Sequence, residues 1–387
     1  MSANTPDAQS LTSAGLAALR RGDPQAAREL FARAVSVAPG DAAAWYGASV
    51  AHRALNAPAE ESAALEQALK LDVNFLPALI AKGDFCARFG DQRAASAYYS
   101  AASKLASSLP ALPAEWREEV RRIEAAAQGI AQSFEKHLRA TLSLRGFESG
   151  TDRFSRGVEL LLGKRQIYLQ QPTNFYYPEL PQIEFYERKE FSWAAALELQ
   201  TPRILTEISA LIESETGWVP YIESETRRPN AYANPLLNDP KWSAFYLIKN
   251  GTEVAANAGR CPNTMGALRE VPLCRVPGRT PSVLFSLLRP GTRIRPHHGY
   301  TNARLICHLP LIVPAECGLR VGNETRAWRE GELLVFDDSI EHEAWNMSQE
   351  LRVVMIFDVW RPELSEREQS LVAATLEAVD RFDSAAL

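Results

Sequence analysis

The sequence predicts two folded parts: an α-helical repeat domain, followed by an all-β or α+β domain in which two sheets form a double-stranded β-helix (jelly roll). Three observations predict this architecture. The first third of the chain repeats itself every 34 residues, short alternating segments succeed one another from Ser282 onward, and four of the six histidines lie between Arg289 and Asp358. A chain of 387 residues is long enough for two domains with a core each.

The helical repeat becomes visible when the chain is compared with itself at an offset of 34 residues. Small residues then align at one position and larger apolar residues at another: Gly15, Ser49 and Gly83; Phe31, Leu65 and Tyr99. Small side chains let paired helices approach closely, and the larger side chain fills the gap between neighbouring repeats. Turn residues at Gly22, Asn56 and Gly90 are expected to end the first helix of each pair.

The period and several single residues resemble a tetratricopeptide repeat: Gly15, Ala27, Phe31, Ala34, Pro39 and Trp45. We therefore expect three repeats over residues 9–109 and a long helix from Ala114 to Leu144 that covers the last apolar face. The stretch Leu105–Pro113 is interpreted as a loop. The repeats either dock a peptide or partner protein on a concave surface or serve as a scaffold without a ligand, and the sequence leaves both open.

A change in composition after Gly146 predicts three segments: repeats over residues 1–110, a connecting helix over 111–150, and the barrel over 151–387. The proline-rich stretch Pro172–Pro181 should be an extended arm, and a helix should run from Pro202 to Glu213 with Thr201 as its N-cap. Seven strands are predicted, punctuated by turn residues: Trp242–Ile248, Val283–Arg289, Arg304–Val313, Gly318–Val321, Thr325–Trp328, Glu332–Phe336 and Leu351–Trp360.

Charge and hydropathy exclude several classes of function. The formal charge of −5 offers no broad basic surface, so nucleic acid is not an expected partner. No run of eighteen apolar residues occurs, and residues 1–7 lack the features of a signal peptide, so we expect a cytoplasmic protein with no membrane segment. The five cysteines include no CxxC pair, which argues against a thiolate zinc site or a disulfide framework.

The alternation of side chains along predicted strands groups polar residues on one face. Arg304, Ile306 and His308 share a face of their strand. Arg352 lies in the very apolar strand Leu351–Trp360, and a buried guanidinium requires an anion. That anion is either an internal carboxylate, with Asp337, Asp338 and Asp358 as candidates, or the carboxylate of a bound small acid.

Two histidines at predicted strand ends, His297 and His342, add a metal to this hypothesis. Imidazole suits iron, and non-haem Fe(II) oxygenases leave coordination positions open for a keto acid and oxygen. His298 is expected to lie behind the ligands or on the surface and not to bind the metal itself, because adjacent residues on a strand face opposite sides.

Several motifs together resemble the aspartyl/asparaginyl β-hydroxylase family of 2-oxoglutarate- and Fe(II)-dependent oxygenases. They are Pro290-Gly291-Thr292, Pro296-His297-His298-Gly299, Thr301-Asn302-Ala303-Arg304-Leu305, His308-Leu309, Phe336-Asp337-Asp338-Ser339-Ile340-Glu341-His342-Glu343 and Arg352. The similarity extends more weakly upstream and covers about residues 170–363. Animal members of the family also carry tetratricopeptide-like repeats before the catalytic domain.

The resemblance implies a role in metal binding for four positions. His297 and His342 would ligate Fe(II). The acidic residue usual in such sites is replaced by Gly299, two places after the first histidine, which leaves a position for water. Asp338 would orient that metal-bound water.

The resemblance also implies how the cosubstrate and substrate are held. Arg352 and Ser286 would bind the distal carboxylate of 2-oxoglutarate, and His308 would contact its metal-side carboxylate. Arg304 matches a position that grips the substrate carboxylate or the cosubstrate. At Ile306 the animal enzymes carry a second arginine, so one anion contact for an Asp or Asn substrate is missing here.

The expected reaction is hydroxylation of the β-carbon of an Asp- or Asn-type residue in a peptide or protein. It would consume O2 and 2-oxoglutarate and release succinate and CO2. Two alternatives remain: a tetratricopeptide adaptor with a non-catalytic barrel, and the same chemistry on a lipid acyl chain or other small substrate.

Overall fold

The structure is a computed structural model that describes residues 7–223 and 234–385, with side chains described as far as residue 382. The expectation of a cytoplasmic protein depends in part on residues 1–6, which lie outside the described residues. The chain divides into two compact units, Met1–Val158 and Glu159–Leu387. The sequence places its last domain boundary at residue 150, eight positions before this division.

The first unit contains three helical hairpins followed by a long helix. The hairpin helices begin at intervals of 34 residues, as the repeat predicts. Their bounds are α1 Ala8–Arg20, α2 Pro24–Val37, α3 Ala42–Ala54, α4 Pro58–Leu71, α5 Leu76–Arg88 and α6 Gln92–Ser108, and the long helix is α7 Ala114–Ser143.

Close packing between the hairpins depends on Phe31 of α2. Its ring is fully buried against two glycines, Gly15 in α1 and Gly47 in α3. A β-carbon added at these glycines would lie 2.8 Å and 2.2 Å from the ring, respectively. The predicted gap-filling role of this position is therefore confirmed, and Tyr99 packs in the same way against Gly83 in the third hairpin.

The turns inside the hairpins also follow the prediction. Gly22, Asn56 and Gly90 have φ angles of 76°, 53° and 83°, a left-handed conformation that ends helices and favours Gly or Asn. Asp23 and Asp91 then cap the second helix of their hairpins by accepting a hydrogen bond from a backbone N–H.

Helix α7 confirms the predicted capping helix. Ile123 is fully buried in a cluster with Ile80 and Tyr99, and Trp116 packs against it. Phe134 is 47% exposed, because a helix of 30 residues is roughly 45 Å long and extends past hairpin helices of half its length. The prediction of a loop over Leu105–Pro113 is wrong in its first part, since α6 continues through Ser108, and the buried Ala106 explains why.

The second unit contains two antiparallel sheets and several helices. Helix α8, Arg153–Leu161, spans the division between the units, and the further helices are α9 Ala194–Glu198, α10 Thr201–Ser214, α11 Ala255–Ala258, α12 Pro262–Ala267 and α13 Glu366–Ala385. The strands are β1 Phe185–Tyr186, β2 Val219–Pro220, β3 Trp242–Lys249, β4 Thr252–Glu253, β5 Val283–Leu288, β6 Thr292–His297, β7 Arg304–Ile312, β8 Cys317–Val321, β9 Glu324–Arg326, β10 Leu334–Phe336, β11 His342–Asn346 and β12 Arg352–Trp360.

The larger sheet has the order β1-β10-β7-β12-β5-β3-β2, with β4 beside β3. The smaller sheet has the order β6-β11-β8-β9. The chain alternates between the sheets from β5 through β6 to β7 and again from β10 through β11 to β12, which is the predicted double-stranded β-helix. The main core lies on the face of the large sheet that α9, α10 and α12 cover, and the opposite face looks toward the small sheet.

Two local predictions have different outcomes. The stretch Pro172–Pro181 is non-helical, and Thr173 donates a backbone hydrogen bond to the carbonyl of Gly299, so the predicted extended arm is confirmed. Thr201 is not the N-cap of α10 but its first helical residue, and Gln200 is the cap. The Thr201 hydroxyl instead donates to the carbonyl of Glu198, which joins the end of α9 to α10.

A membrane-crossing helix would need a long apolar stretch, and no helix in the described part of the chain has one.

Candidate active site

A cavity of about 1030 Å³ lies within the second unit. Its wall is formed by inward-facing side chains of both sheets. Arg304, Ile306 and His308 of β7 all line it, while Leu305 and Cys307 point into the main core on the other face. The period-two assignment of faces in β7 is therefore confirmed.

His297 and His342 face each other across two neighbouring strands of the small sheet. They are register partners in the β6–β11 pair, and their ring centroids are 4.1 Å apart. His297 Nδ1 lies 2.8 Å from the Arg295 carbonyl, and His342 Nδ1 lies 3.1 Å from the Ile340 carbonyl. A carbonyl only accepts, so Nδ1 carries the proton in both rings and the Nε2 lone pairs are available to a metal.

Electrostatics keep these two imidazoles in the form that binds metals. His342 is buried, and burial together with the neighbouring His297 ring holds its pKa well below the usual value. Desolvation of the His297 ring also lowers its pKa. Neutral imidazole is the form that coordinates a metal, so both groups are ready to do so near neutral pH.

Arg352 is buried with 1% exposure at the start of β12. Its Nε and Nη2 atoms have no hydrogen-bond partner, and no carboxylate of the described residues lies within salt-bridge distance. Its guanidinium carbon lies 4.8 Å from the centroid of the Trp328 ring. Burial lowers the pKa of Arg352 to about 10. Such a group requires an anion that the described residues do not supply.

The three carboxylates that could have satisfied Arg352 pair with other arginines. Asp337 accepts a hydrogen bond of 2.9 Å from Arg361, which is fully buried. Asp338 accepts one of 2.9 Å from Arg304, and Asp358 lies 3.5 Å from the same guanidinium. The internal ion pair left open by the sequence is therefore absent from the described structure, and the hypothesis of a bound acid is favoured.

His308 lies near Arg352 in the cavity wall. It is buried, its Nδ1 atom has no hydrogen-bond partner, and its ring packs edge-to-face on Phe336. Burial and then the charge of Arg352 lower the pKa of His308 to about 3. The ring is therefore neutral and can donate a hydrogen bond without adding a second buried charge.

Ser286 projects from β5 into the same cavity and accepts a hydrogen bond of 3.1 Å from the Trp242 indole. Trp242 in turn stacks on Tyr221, with ring centroids 3.9 Å apart and an angle of 7° between the planes. This stack and Trp328 are site residues for which the sequence analysis gave no role. For Trp242, the predicted strand Trp242–Ile248 is the only sequence signal. Trp328 ends the predicted strand Thr325–Trp328, but β9 ends at Arg326 and Trp328 lies beyond it.

Asp338 occupies the space beside Gly299. A β-carbon added at Gly299 would lie 2.1 Å from Asp338 Oδ2, so a side chain at position 299 would displace this carboxylate. Asp338 Oδ1 is buried without a hydrogen-bond partner, and burial raises the pKa of the group to about 6. An unsatisfied carboxylate oxygen of Asp338 therefore lies beside Gly299, the position at which the sequence lacks the usual acidic metal ligand.

The donor set fits a metal and a small diacid. Among the described residues no three His, Cys, Asp or Glu side chains form a ready metal cluster. Two imidazoles with free Nε2 atoms are a sufficient protein contribution only if other ligands complete the coordination, as water and a keto acid would. The orphaned atoms of Arg352 and His308 match the acceptors that such an acid would bring.

Comparison with known proteins agrees with this geometry. Residues 198–362, which include every predicted site residue, match the family described as aspartyl/asparaginyl beta-hydroxylase. The second unit is therefore similar to this family over these residues. The ornithine lipid ester-linked acyl 2-hydroxylase of Rhizobium tropici is a relative, 33% identical over half of this chain and 66% of its own length.

A further relative is the aspartyl/asparaginyl beta-hydroxylase of Mus musculus, 39% identical over 34% of this chain and 18% of its own length. The chain thus spans less than two thirds of the length of these family members. For the repeats, the TPR domain of Sgt2 from Aspergillus fumigatus superposes on 39% of the chain and 89% of its own length, with 20% identity and a TM-score of 0.30.

All seven residues predicted for the site line the one cavity: Ser286, His297, Arg304, His308, Asp338, His342 and Arg352. Their individual roles stay predictions. His298 is half-buried and is not among the residues of the cavity wall.

Proposed function

We propose that the protein is a 2-oxoglutarate- and Fe(II)-dependent hydroxylase. The observation that supports this most is Arg352, a fully buried guanidinium without an anionic partner, in the same cavity as two neutral imidazoles. A purely structural arginine in this position would be strongly unfavourable. A dicarboxylate that binds the metal at one end and Arg352 at the other accounts for both features.

In this proposal His297 and His342 hold the iron through Nε2, and backbone carbonyls fix both rings. Arg352 and Ser286 bind the distal carboxylate of 2-oxoglutarate, while His308 donates to the carboxylate near the metal. Iron and 2-oxoglutarate supply the oxidising chemistry when bound. The contribution of the chain is to position the reactants and to exclude water from a cavity that two sheets enclose.

Asp338 and Arg304 would position water at the metal rather than bind it directly. The Arg304 guanidinium fixes Oδ2 of Asp338, so Oδ1 points toward a partner that the described residues do not supply. This arrangement suits a carboxylate that accepts a hydrogen bond from a metal-bound water.

For the substrate, the family name puts the hydroxyl group on the β-carbon of an Asp or Asn residue, as the sequence predicts. The relative from Rhizobium tropici is named as an acyl hydroxylase of a lipid. Its name supports the alternative prediction that the substrate is a lipid acyl chain. The carboxylate of an Asp substrate would need a cation near the metal. Arg304 is the candidate for this contact, but its guanidinium already faces the carboxylates of Asp338 and Asp358.

The repeats would serve as a docking site for a peptide or protein. A concave cavity of about 300 Å³ in the first unit supports this, with Tyr46, Ile80 and Trp116 in its wall. Its three acidic residues are paired, Asp84 and Glu119 with Arg122 and Glu61 with Arg88, so apolar contacts would dominate the docking.

Anaerobic titration with Fe(II) and 2-oxoglutarate tests the proposed function. The expected result is a visible metal-to-ligand charge-transfer band, which His342→Ala abolishes because one of two protein ligands is lost. His137→Ala, in the first unit and outside the cavity, is the matched control and should leave the band unchanged. Absence of the band in the unmodified chain would favour the non-catalytic adaptor instead.

A further inference from the structure

The side chains of β6 change face before the strand ends. Arg293 and Arg295 are exposed and Ile294 between them is buried, as regular alternation requires. Continued alternation would turn Pro296 toward the cavity and His297 away from it. His297 nevertheless lines the cavity, as Ile294 does. One extra residue must therefore lie between these two positions.

The pairing of β6 with β11 shows where the extra residue lies. In β11, His342 and Ala344 are two residues apart, but their register partners in β6 are three apart. Arg295 and Pro296 thus stand together opposite the single residue Glu343, which makes them a β-bulge, here named the β6 bulge. Because a shift of one residue moves side chains to the other face of a sheet, the β6 bulge puts both histidines on the cavity side.

The β6 bulge also determines which nitrogen of the His297 ring is free. The carbonyl of Arg295, inside the bulge, lies 2.8 Å from His297 Nδ1 and accepts its proton, which leaves Nε2 without one. The extra residue of a bulge is left out of the ladder, and the hydrogen bonding around it is disrupted. The backbone that carries this carbonyl therefore needs support from side chains.

A buried carboxylate joins the strands at this point. Glu343 is 6% exposed, and each of its two oxygens binds an arginine of a neighbouring strand. Arg293 of β6 donates to Oε2 from Nε at 2.9 Å and from Nη2 at 2.6 Å. Arg320 of β8 donates from Nε to Oε1 at 2.6 Å. Glu343 therefore connects all three strands where the bulge interrupts the pairing of β6 with β11.

We infer that Glu343 is a positioning residue: through Arg293 it holds the β6 bulge, and the bulge turns His297 toward the cavity with Nε2 free. Glu343 does not line the cavity itself, because its side chain is on the face of β11 opposite to that of His342. The metal that the two rings would share rests on the proposed function, whereas the placement of the rings does not.

Nitrogen-15 spectra of the full metal-free chain, labelled at histidine, test the inference without turnover. His297 of the unmodified protein should be in the Nδ1–H form. Glu343→Gln should give a mixture of tautomers at His297, because the bulge carbonyl is no longer held in place. His342 should keep its form, since its ring is fixed by the carbonyl of Ile340, outside the bulge. Arg293→Gln, at a side chain 56% exposed, removes the same connection with less risk to folding and should act alike.

Fe(II) affinity, measured anaerobically with a chromophoric competitor, is the second readout. Glu343→Gln and Arg293→Gln should each bind Fe(II) at least about tenfold more weakly, the loss typical of groups that orient metal ligands. Glu341→Gln is the matched control, because Glu341 accepts a hydrogen bond of 2.8 Å from Arg320 but has no ion pair with β6 in the described structure. It should change the affinity less than about threefold and leave the His297 spectrum as it is.

Several results would overturn the inference. One is an Nε2–H form of His297 in the unmodified protein, and another is an unchanged His297 spectrum in Glu343→Gln and Arg293→Gln. Variants that lose stability in urea but keep the Fe(II) affinity would show that Glu343 supports the sheet alone, and an equal loss of affinity in Glu341→Gln also contradicts the assignment. If Glu343→Gln does not fold, Arg293→Gln decides. Failure of the unmodified chain to bind Fe(II) overturns the proposed function alone, since the tautomers are compared without metal.

Discussion

Two buried arginines of the second unit differ in one respect. Arg361 is paired with Asp337, whereas Arg352 has no anionic partner in the described structure. Arg352→Met should weaken 2-oxoglutarate binding at least about thirtyfold, because the loss of a buried charge contact costs about 2–5 kcal/mol. The same variant should raise the free energy of unfolding of the ligand-free protein by about 1 kcal/mol or more, since it removes an unpaired buried charge.

Arg361→Met is the matched control for this prediction. It leaves Asp337 buried without its guanidinium, so the free energy of unfolding should fall by about 3–5 kcal/mol. Urea unfolding and calorimetric titration measure both quantities. A loss of stability in Arg352→Met as large as that in Arg361→Met would mean that Arg352 has an internal role.

His297, the last residue of β6, and the adjacent His298 provide a second contrast. His297 faces His342 in the cavity, while His298 is not part of the cavity wall. We expect His297→Ala to abolish Fe(II) binding and His298→Ala to change the affinity less than about threefold, because only His297 of the two lines the cavity. Fe(II) titration with a chromophoric competitor measures both. Equal losses in the two variants would contradict the assignment.

His308 should make stability depend on pH. Its pKa is about 3 in the folded protein and about 6.5 when unfolded. The unfolded state therefore takes up a proton first as pH falls, and stability is lost between pH 6.5 and about 3 at up to about 1.4 kcal/mol per pH unit. The raised pKa values of Asp338 and Asp358, about 6, act in the opposite direction, and the lowered pKa values of His297 and His342 act in the same direction, so the slope of the unmodified protein combines all of these groups.

His308→Asn isolates the contribution of this histidine, because both aspartates are retained. The free energy of unfolding of the variant, relative to the unmodified protein, should rise as pH falls from 6.5 to 4. Urea unfolding at several pH values measures the difference. A difference that does not change with pH would show that His308 is not buried in neutral form.

At the scale of single elements, the hairpins of the first unit depend on contacts between neighbours. Phe31 is fully buried between α1 and α3, whereas Phe89 is 59% exposed. Phe31→Ala should lower the free energy of unfolding of this unit by about 3–5 kcal/mol, and Phe89→Ala by less than about 1 kcal/mol. Thermal unfolding followed by circular dichroism compares the two. Similar effects would contradict the packing described for α2.

In the second unit, strand order creates the site. His297 and His342 meet because β6 and β11 are neighbours in the small sheet, and Arg352 joins them because β12 lies beside β5 and β7 in the large sheet. Gly299 follows β6 where the carboxylate of Asp338 fills the adjacent space. The cavity is therefore a property of the two sheets together and not of either sheet alone.

For the whole molecule, the candidate site lies within the second unit. Fe(II) and 2-oxoglutarate, each at about a hundred times its dissociation constant, should stabilise this unit by about 2.7 kcal/mol per ligand. Hydrogen exchange should then slow in β5, β7, β11 and β12, while α1–α6 exchange as before. Equal protection of the repeats would mean that ligand binding is coupled to the first unit.

The sequence by itself determined the features that depend on local periodicity. The 34-residue repeat predicted helix starts and the Phe31 contact, and the alternation in β7 predicted that Arg304, Ile306 and His308 share a face. Both follow from backbone geometry, in which side-chain direction is set by position along a helix or strand. The position of Thr201 and the length of α6 were predicted less well, because packing extends or shifts helix ends.

Only the tertiary structure decided which charge pairs with which. Three aspartates were equal candidates for Arg352 in the sequence, and all three bind other arginines in the fold. The same applies to the Trp242–Tyr221 stack and to Trp328. Such pairings depend on the register and order of strands that are distant in sequence, and a periodic pattern carries no information about either.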